Sequence, residues 1–158
     1  MSSISNKPML EHLEFAAMTV DDLIILQAWF ADEELKRRMA GLLPLGQYYT
    51  YLQSNPASHA WMVRENGTPV GAVILEGMPD APHTFAFFVN PTLRSRGYGR
   101  QMLRQLLLQA KAIGVKKLTA GVESNNIASQ RCLESVGFSA ENEVADGDGF
   151  WGYCYRFK

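Results

Sequence analysis

The fold is decided by the stretch HTFAFFVNPTLRSRGYGRQMLRQLLLQAKAIG, residues 83–114. An aromatic and β-branched run at residues 85–89 predicts a strand, which an Asn-Pro pair ends. Between residues 100 and 113, apolar side chains recur at helical spacing and polar side chains fill the other face. Gly114 stands where a residue in the left-handed region would end that helix. The stretch therefore predicts a strand, a glycine-rich turn and the N-terminus of a helix.

The turn between this strand and this helix has the properties of a phosphate site. The first N–H groups of a helix lack intrahelical partners, and the macrodipole adds about half a positive charge there. Gly97 and Gly99 let the backbone approach an anion, and Arg94, Arg96 and Arg100 supply charge. A tight turn with solvated arginines is the alternative, which the agreement of strand, helix and charge disfavours. The commoner G-x-x-x-x-G-K-[ST] and G-x-G-x-x-G loops are both absent.

Outward from this stretch, the chain divides into short strands and helices. Asn66-Gly67 is the strongest hairpin signal and joins predicted strands at residues 59–64 and 69–76. The strand after the helix is reached by a helical crossover, so it should run parallel to residues 85–89. The predicted order is that of an α/β or α+β domain, a mixed sheet with helices on both faces. The other strands are predicted at residues 13–18, 115–122, 138–144 and 150–157, and the helices at residues 22–39 (broken near Asp32), 46–53, 100–113 and 126–136.

Length and composition are those of one globular domain spanning residues 1–158. No apolar run reaches membrane-spanning length, and the first residues lack the apolar core of a signal peptide. The two cysteines have no metal-binding spacing. We therefore expect reduced thiols, no metal site, no membrane partner and a cytoplasmic location.

The net charge of −1 conceals an uneven distribution. Residues 94–131 carry eight Lys or Arg against one acid, whereas the rest of the chain is acidic. The acidic remainder disfavours a nucleic-acid-binding domain. A polyanionic cofactor on the basic segment and a cationic substrate elsewhere fit the distribution, and ordinary scatter of surface charge is the alternative.

A second pattern, N-x-A-S-x-x-x-L-E-x-x-G-F, occupies residues 126–138. Taken alone, it is consistent with an ordinary capped helix: Asn126 suits an N-cap, Gly137 a left-handed residue after the helix, and Phe138 the core. It follows the R-x-x-G-x-G of residues 94–99, however, and the two motifs together are more specific than either one.

R-x-x-G-x-G resembles the acetyl-CoA loop of the GNAT family of N-acetyltransferases, and the order of elements resembles that fold over about residues 10–157. The second pattern is similar to the subgroup that acetylates ribosomal-protein N-termini, with related enzymes acting on polyamines or antibiotics. The resemblance implies a mostly antiparallel sheet of about seven strands with a splayed central strand, and acetyl-CoA as cofactor. The residues that it implies for cofactor binding are Phe88, Val89, Arg94, Arg96, Gly97, Tyr98, Gly99, Arg100, Asn126 and Ser129.

The implied reaction is direct transfer of acetyl from acetyl-CoA to a primary amine in a ternary complex. It needs an amine about 3 Å from the carbonyl carbon, a donor to the oxyanion and an acceptor for a proton. By analogy with the family, the N–H of Val89 is the oxyanion donor. Glu76 is the first candidate for accepting the proton, followed by His83 and Asp80. A solvated charge at a strand end is the alternative for Glu76.

The chain departs from a widespread family pattern at one position. Many members carry a tyrosine seven residues after the asparagine, where it protonates the leaving thiolate; here that residue is Leu133. Ser129, one helical turn earlier, is the substitute candidate. Cys132 is adjacent in sequence but turned by about 100° on the helix, so we expect it to belong to the core.

The acceptor cleft of this fold is bordered by the first two helices and the turn before the last strand. Tyr48 and Tyr49 are the first aromatic candidates for lining it, and the further aromatic candidates are Tyr51, Trp29, Trp61 and Trp151. The acids expected at its rim are Asp32, Glu33, Glu34, Asp146 and Asp148.

Several alternatives stay open at this point. The rival function is a non-catalytic module that binds CoA or acyl-CoA as a sensor or interaction surface, and the missing tyrosine is its main support. A peptide N-terminus, a polyamine, an aminoglycoside and an amino acid are all candidate acceptors. The sequence is also compatible with a homodimer formed through a sheet edge.

Overall fold

The computed structural model describes residues 13–77, 81–141 and 149–158. These residues form seven strands and five α-helices. In chain order they are β1 Leu13–Ala17, α1 Asp22–Trp29, α2 Glu33–Arg38, α3 Leu45–Gln53, β2 His59–Glu65, β3 Thr68–Glu76, β4 His83–Val89, α4 Tyr98–Ala112, β5 Lys117–Glu123, α5 Ile127–Ser135, β6 Ser139–Ala140 and β7 Phe150–Arg156. No helix in these ranges is long and apolar enough to cross a membrane.

The seven strands form one sheet in the order β1-β2-β3-β4-β5-β7-β6. Neighbouring strands are antiparallel except β4 and β5, which the α4 crossover makes parallel. The predicted class, a mixed and mostly antiparallel sheet with helices, is therefore confirmed.

The central strand is splayed away from its parallel neighbour. β4 pairs with β3 along its length, from Thr84 opposite Glu76 to Val89 opposite Gly71. Between the described residues of β4 and β5, by contrast, the pairing comprises His83 with Leu118 and a second pair at the next residue of each strand. The edge of residues 85–89 that faces β5 is consequently open, which confirms the predicted splay.

Helices cover both faces of the sheet, because side chains of β3 alternate between two cores. Val73 and Leu75 face a core that includes Leu103 and Leu106 of α4 and Leu133 of α5. Ala72 and Ile74 belong to the opposite core, whose helical members are Leu26 and Trp29 of α1, Leu35 of α2 and Leu45 and Leu52 of α3. The helices α4 and α2 therefore lie on opposite faces of the sheet.

The predicted long first helix is two helices. α1 ends at Trp29, and α2 starts after Asp32, whose Oδ2 accepts a hydrogen bond from Leu35 N–H at 3.0 Å. A side-chain oxygen at this position satisfies an otherwise free N–H of the new helix, so the break predicted near Asp32 is confirmed. Of the strand predicted at residues 138–144, the described part contains β6, Ser139–Ala140; residues 142–144 lie outside the described ranges.

The start of α1 is attached to the sheet by a buried carboxylate. Asp22 is 5% exposed and accepts hydrogen bonds from Thr19 N–H at 2.9 Å and from Arg64 Nη2 of β2 at 2.8 Å. The hydroxyl of Thr19 accepts in return from Asp22 N–H at 3.3 Å. These reciprocal hydrogen bonds between Thr19 and Asp22 fix the start of α1.

Candidate active site

The N-terminus of α4 is uncapped by any side chain. Gly97 is the N-cap residue, with φ of 88°, in the left-handed region that a residue without Cβ adopts at little cost. Because glycine has no side-chain acceptor, the first N–H groups of this 15-residue helix remain available for an external anion. Asn126, in contrast, caps α5 with its own oxygen.

A cleft of about 490 Å³ lies at this helix end and along the open edge of β4. It is bounded by α2, the end of β4, the loop before α4 and the start of α5. Its lining includes the predicted cofactor residues Phe88, Val89, Arg94, Gly97, Gly99, Arg100, Asn126 and Ser129. Arg96 and Tyr98 are not part of the lining.

Glycine at position 99 leaves a space that a side chain would occupy. A Cβ built there would lie 3.4 Å from the ring of Phe87 and 3.5 Å from Cys132 Sγ, which is ordinary contact. A side chain at this position would therefore fit the protein but project into the cleft beside the free N–H groups. The cradle matches a diphosphate close to the backbone.

The direction of the β4 amides favours Val89 as a donor into the cleft. Asn90 N–H donates to Val70 O of the neighbouring segment at 2.8 Å. Successive amides of an extended strand point to opposite edges, so the N–H of Val89 is directed to the open edge.

A second, smaller cavity of about 140 Å³ lies inside the splay, between β4 and β5. Phe85, Ala86 and Phe87 form one wall and residues 120–123 of β5 the other. Arg38, Met39, Phe87, Asn126 and Ser129 line both cavities. The two spaces therefore meet where β4 and β5 separate, which is where a donor and an acceptor could come into contact.

Arg94 is already paired within the protein. Its two terminal nitrogens donate to the carboxylate of Asp32 at 2.5 and 3.2 Å. These hydrogen bonds raise the pKa of the guanidinium and lower the pKa of Asp32. The Asp32 carboxylate is therefore already engaged by Arg94, and its expected role in attracting a cationic acceptor stays a prediction.

The other predicted cofactor residues differ in what they present to the cleft. Arg100 lines it and donates from Nε to Ser135 Oγ at 2.9 Å, and Arg96 is exposed. The hydroxyl of Tyr98 donates to Glu65 on β2, which raises the pKa of the phenol. Tyr98 is the first residue of α4, so its backbone N–H lies at the free helix end, and its expected cofactor role through that N–H stays a prediction.

Asn126 and Ser129 are joined by the helix cap. Asn126 Oδ1 accepts from Ser129 N–H at 3.3 Å, so the capping role considered for the asparagine is present. Both residues also line both cavities. The capping role and a role in the site are therefore compatible, with the amide nitrogen of Asn126 left for a second partner.

The two residues near the missing tyrosine occupy different environments. Leu133 is 1% exposed within the core and touches the smaller cavity. Cys132 packs against the core, as expected, and also lines the larger cavity; burial raises the pKa of its thiol. A raised pKa keeps the sulfur protonated at neutral pH, which does not suit a nucleophile.

Glu76 lies outside the lining of both cavities. Its carboxylate accepts hydrogen bonds from the hydroxyls of Tyr48 and, at 3.3 Å, Tyr51. Burial and the hydrogen bond to Glu76 raise the pKa of Tyr48. His83 begins β4, and its pKa is lowered by burial and by the neighbouring His59.

The remaining acceptor candidates are spread over the molecule. Tyr49 donates its hydroxyl to Met18 O at 3.4 Å, and none of the three tryptophans lines either cavity. Glu34 lines the larger cavity, whereas Glu33 is exposed on α2. Asp80, Asp146 and Asp148 lie outside the described residues.

Arg38 is the functional candidate that the sequence did not reveal. It is the last residue of α2, and its Nη1 donates to Glu123 Oε1 and to Asn125 Oδ1, both at 2.9 Å. The partners are 85 and 87 residues away in sequence, so no local sequence spacing predicts the contact.

Known proteins share this arrangement. The sequence model of the acetyltransferase (GNAT) family matches residues 23–138. An uncharacterized N-acetyltransferase of Bacillus subtilis, YfmK, is 32% identical over 136 residues, which cover 86% of this chain and 91% of that protein. The ribosomal protein bS18-alanine N-acetyltransferase of Haemophilus ducreyi is 28% identical over 75 residues, 48% of this chain and 52% of that protein.

Among solved structures, spermidine N-acetyltransferase from Vibrio cholerae in complex with CoA and spermine superposes with a TM-score of 0.78 at 15% identity. The match covers 92% of this chain and 96% of that one, which shows a shared fold. The glycine N-cap of α4, the splayed strand β4 and the family match over residues 23–138 agree with one another. The chain belongs to the acetyltransferase (GNAT) family.

Proposed function

We propose that the protein transfers the acetyl group of acetyl-CoA directly to the primary amine of a small molecule or peptide in a ternary complex. The observation that carries the proposal is the junction of the two cavities at the splay. The larger cavity has the uncapped α4 N-terminus, and the smaller one lies between β4 and β5. A donor in the larger cavity and an acceptor in the smaller one could therefore meet where β4 and β5 separate.

Acetyl-CoA supplies an activated thioester when bound. The N–H groups of residues 96–100 would hold its pyrophosphate, with charge from Arg96 and Arg100 and, if it leaves Asp32, from Arg94. The open edge at Phe88 and Val89 would pair with the pantetheine amides, and Asn126 would donate to them from its free amide nitrogen. Met39 and Phe87 would help to exclude water from the junction.

The oxyanion and the leaving sulfur need hydrogen-bond donors. The N–H of Val89 would donate to the developing oxyanion at the open edge. Ser129, which lines both cavities, would donate to the departing thiolate in place of the tyrosine that Leu133 replaces. The positive end of α4 and the arginines around it would stabilise that thiolate as well.

The amine must lose a proton, and Glu76 is the proposed acceptor through water. Glu76→Gln is expected to flatten the acidic limb of the kcat/KM pH profile, because the proposed proton acceptor is removed. Acetyl-CoA affinity should stay unchanged, since Glu76 lies outside the lining of the larger cavity. Rates across pH and calorimetric cofactor titration measure both. An unchanged pH profile would remove Glu76 from the proposal and favour His83.

Two substitutions at Asn126 separate capping from cofactor binding. Asn126→Ala removes both the cap oxygen and the amide donor, so it should lower stability by about 1 kcal/mol and weaken acetyl-CoA binding. Asn126→Asp keeps a cap oxygen but removes the donor, so it should retain the melting temperature and still bind acetyl-CoA several-fold more weakly. Melting curves and cofactor titration give the two readouts. Wild-type affinity in Asn126→Asp would leave capping as its role.

The function itself is tested by thiol release from acetyl-CoA with a panel of amines. Amine-dependent release with an acetylated product identified by mass spectrometry supports the proposal. Binding of acetyl-CoA without acetylation of any amine would instead favour the sensor module. We further propose that residues 1–158 form a single acetyltransferase domain, compatible with a homodimer, that works in the cytoplasm, where acetyl-CoA and reduced cysteines coexist.

A further inference from the structure

We propose that the acceptor is a small zwitterion, an α-amino acid with an uncharged side chain, whose carboxylate binds Arg38 and whose amino group lies at Glu123. The inference rests on the proposed function, because it names the acceptor of the same transfer. It is carried by the ion pair of Arg38 and Glu123 at the junction of the two cavities.

Arg38 lies at the junction of the two cavities with half of its guanidinium unused. Nη1 is occupied by Glu123 and Asn125. Nε is buried and has no hydrogen-bond partner among the described residues; it forms only a long ion pair, at 3.9 Å, with the carboxylate of Glu34. Nη2 likewise carries no hydrogen bond to any residue that the structure describes. Two N–H groups side by side match the two oxygens of a carboxylate.

Glu123 provides the opposite charge next to this site. It ends β5, lines the smaller cavity, and its side chain is 32% exposed. Arg38 occupies Oε1, and Oε2 accepts no hydrogen bond from the described part of the chain. An α-amino acid carries an ammonium and a carboxylate on one carbon, so its charges match the pair in sign and in closeness. The Glu34 carboxylate near Nε is 56% exposed, so water screens its charge. A polyamine would bring only positive charge towards Arg38, which like-charge repulsion penalises.

The cavity limits the size and polarity of the acceptor. Its volume of about 140 Å³ is below the roughly 300–1,000 Å³ of pockets for drug-sized ligands. Apart from the ion pair, most of its wall is apolar, including Phe85, Val122 and Leu133. A charged side chain would be desolvated there without a partner, whereas a short uncharged one would be accommodated.

The first experiment compares acceptors that differ only in the carboxylate. Small uncharged L-amino acids are offered with acetyl-CoA, each beside its amide and its decarboxylated amine, and thiol release is measured. We expect kcat/KM at least tenfold higher for the best amino acid than for its two partners. Preference for the amides, the amines or spermidine would overturn the inference and leave the acetyltransferase function intact.

The second experiment tests whether Arg38 binds the carboxylate of the acceptor or only connects α2 to the end of β5 and the turn after it. Arg38→Gln should raise KM for amino acids at least tenfold and leave kcat/KM for the amides nearly unchanged. Arg37→Gln, on the exposed side of α2, is the matched control and should behave as wild type. Equal loss on both acceptor classes, or weakened acetyl-CoA binding, would assign Arg38 a structural or cofactor role and overturn the inference.

A third result concerns the function on which the inference depends. If the wild-type protein acetylates none of these acceptors and no other amine, the proposed function and the inference fall together. Calorimetric titration with acetyl-CoA then shows whether cofactor binding survives. The three outcomes are therefore distinguishable.

Discussion

Replacing Gly99 with aspartate is expected to lower acetyl-CoA affinity at least tenfold, about 1.4 kcal/mol. The new carboxylate would occupy the space between Phe87 and Cys132, next to the N–H groups proposed to hold the pyrophosphate. It would repel the diphosphate and compete with it for the same donors. Calorimetric titration of both proteins with acetyl-CoA measures the difference.

Stability should not fall together with affinity in this variant. A Cβ at residue 99 makes only ordinary contacts, and an acid in the first turn of a helix interacts favourably with its dipole. The melting temperature of Gly99→Asp should thus equal or exceed that of the wild type. Gly99→Ala, which adds a methyl group without charge, is the control and should lose less affinity. A folded Gly99→Asp protein with wild-type affinity would contradict the cofactor site.

Local patterns were sufficient to predict the elements that build the cofactor cleft. An aromatic and β-branched run predicts β4, helical spacing predicts α4, and the glycines between them predict the free helix end, because each signal is confined to neighbouring residues. The helical crossover predicts the parallel pair at which the sheet opens. The predicted role of Gly97 and Gly99 at the start of α4 depends only on these local rules.

Contacts between distant residues could not be predicted in the same way. Arg94 was assigned to the cofactor and Asp32 to the acceptor, yet the two form one ion pair across 62 residues. Tyr98 belongs to the right motif, but its helical position directs its hydroxyl to Glu65. Tyr48 and Glu76 were given separate roles and turn out to be hydrogen-bonded. Sequence spacing carries no information about such partners, since tertiary packing alone determines them.

The second large effect is expected at the attachment of α1 to the sheet. Asp22→Asn should destabilise the protein by about 2–3 kcal/mol at pH 7, because it weakens the bond to Arg64 and leaves that guanidinium without its countercharge. The side chain of Arg64 is 28% exposed, so water offsets part of a loss that would be larger in a dry core. For a chain of this length, the melting temperature should fall by roughly 5–10 °C. Asp21→Asn, at an exposed neighbouring position, is the control.

The loss should also depend on pH in a defined direction. Burial alone would raise the pKa of Asp22, but the hydrogen bonds from Arg64 and from Thr19 N–H outweigh it and hold the pKa below its ordinary value. The charged carboxylate therefore contributes its full stability above the pKa of the unfolded chain, near 4, and loses it as the pH falls through the lower folded value. Melting temperatures of wild type and Asp22→Asn should differ most near pH 7 and converge below about pH 4. A gap that stays constant down to pH 3 would show that Asp22 acts through its shape and cap rather than its charge.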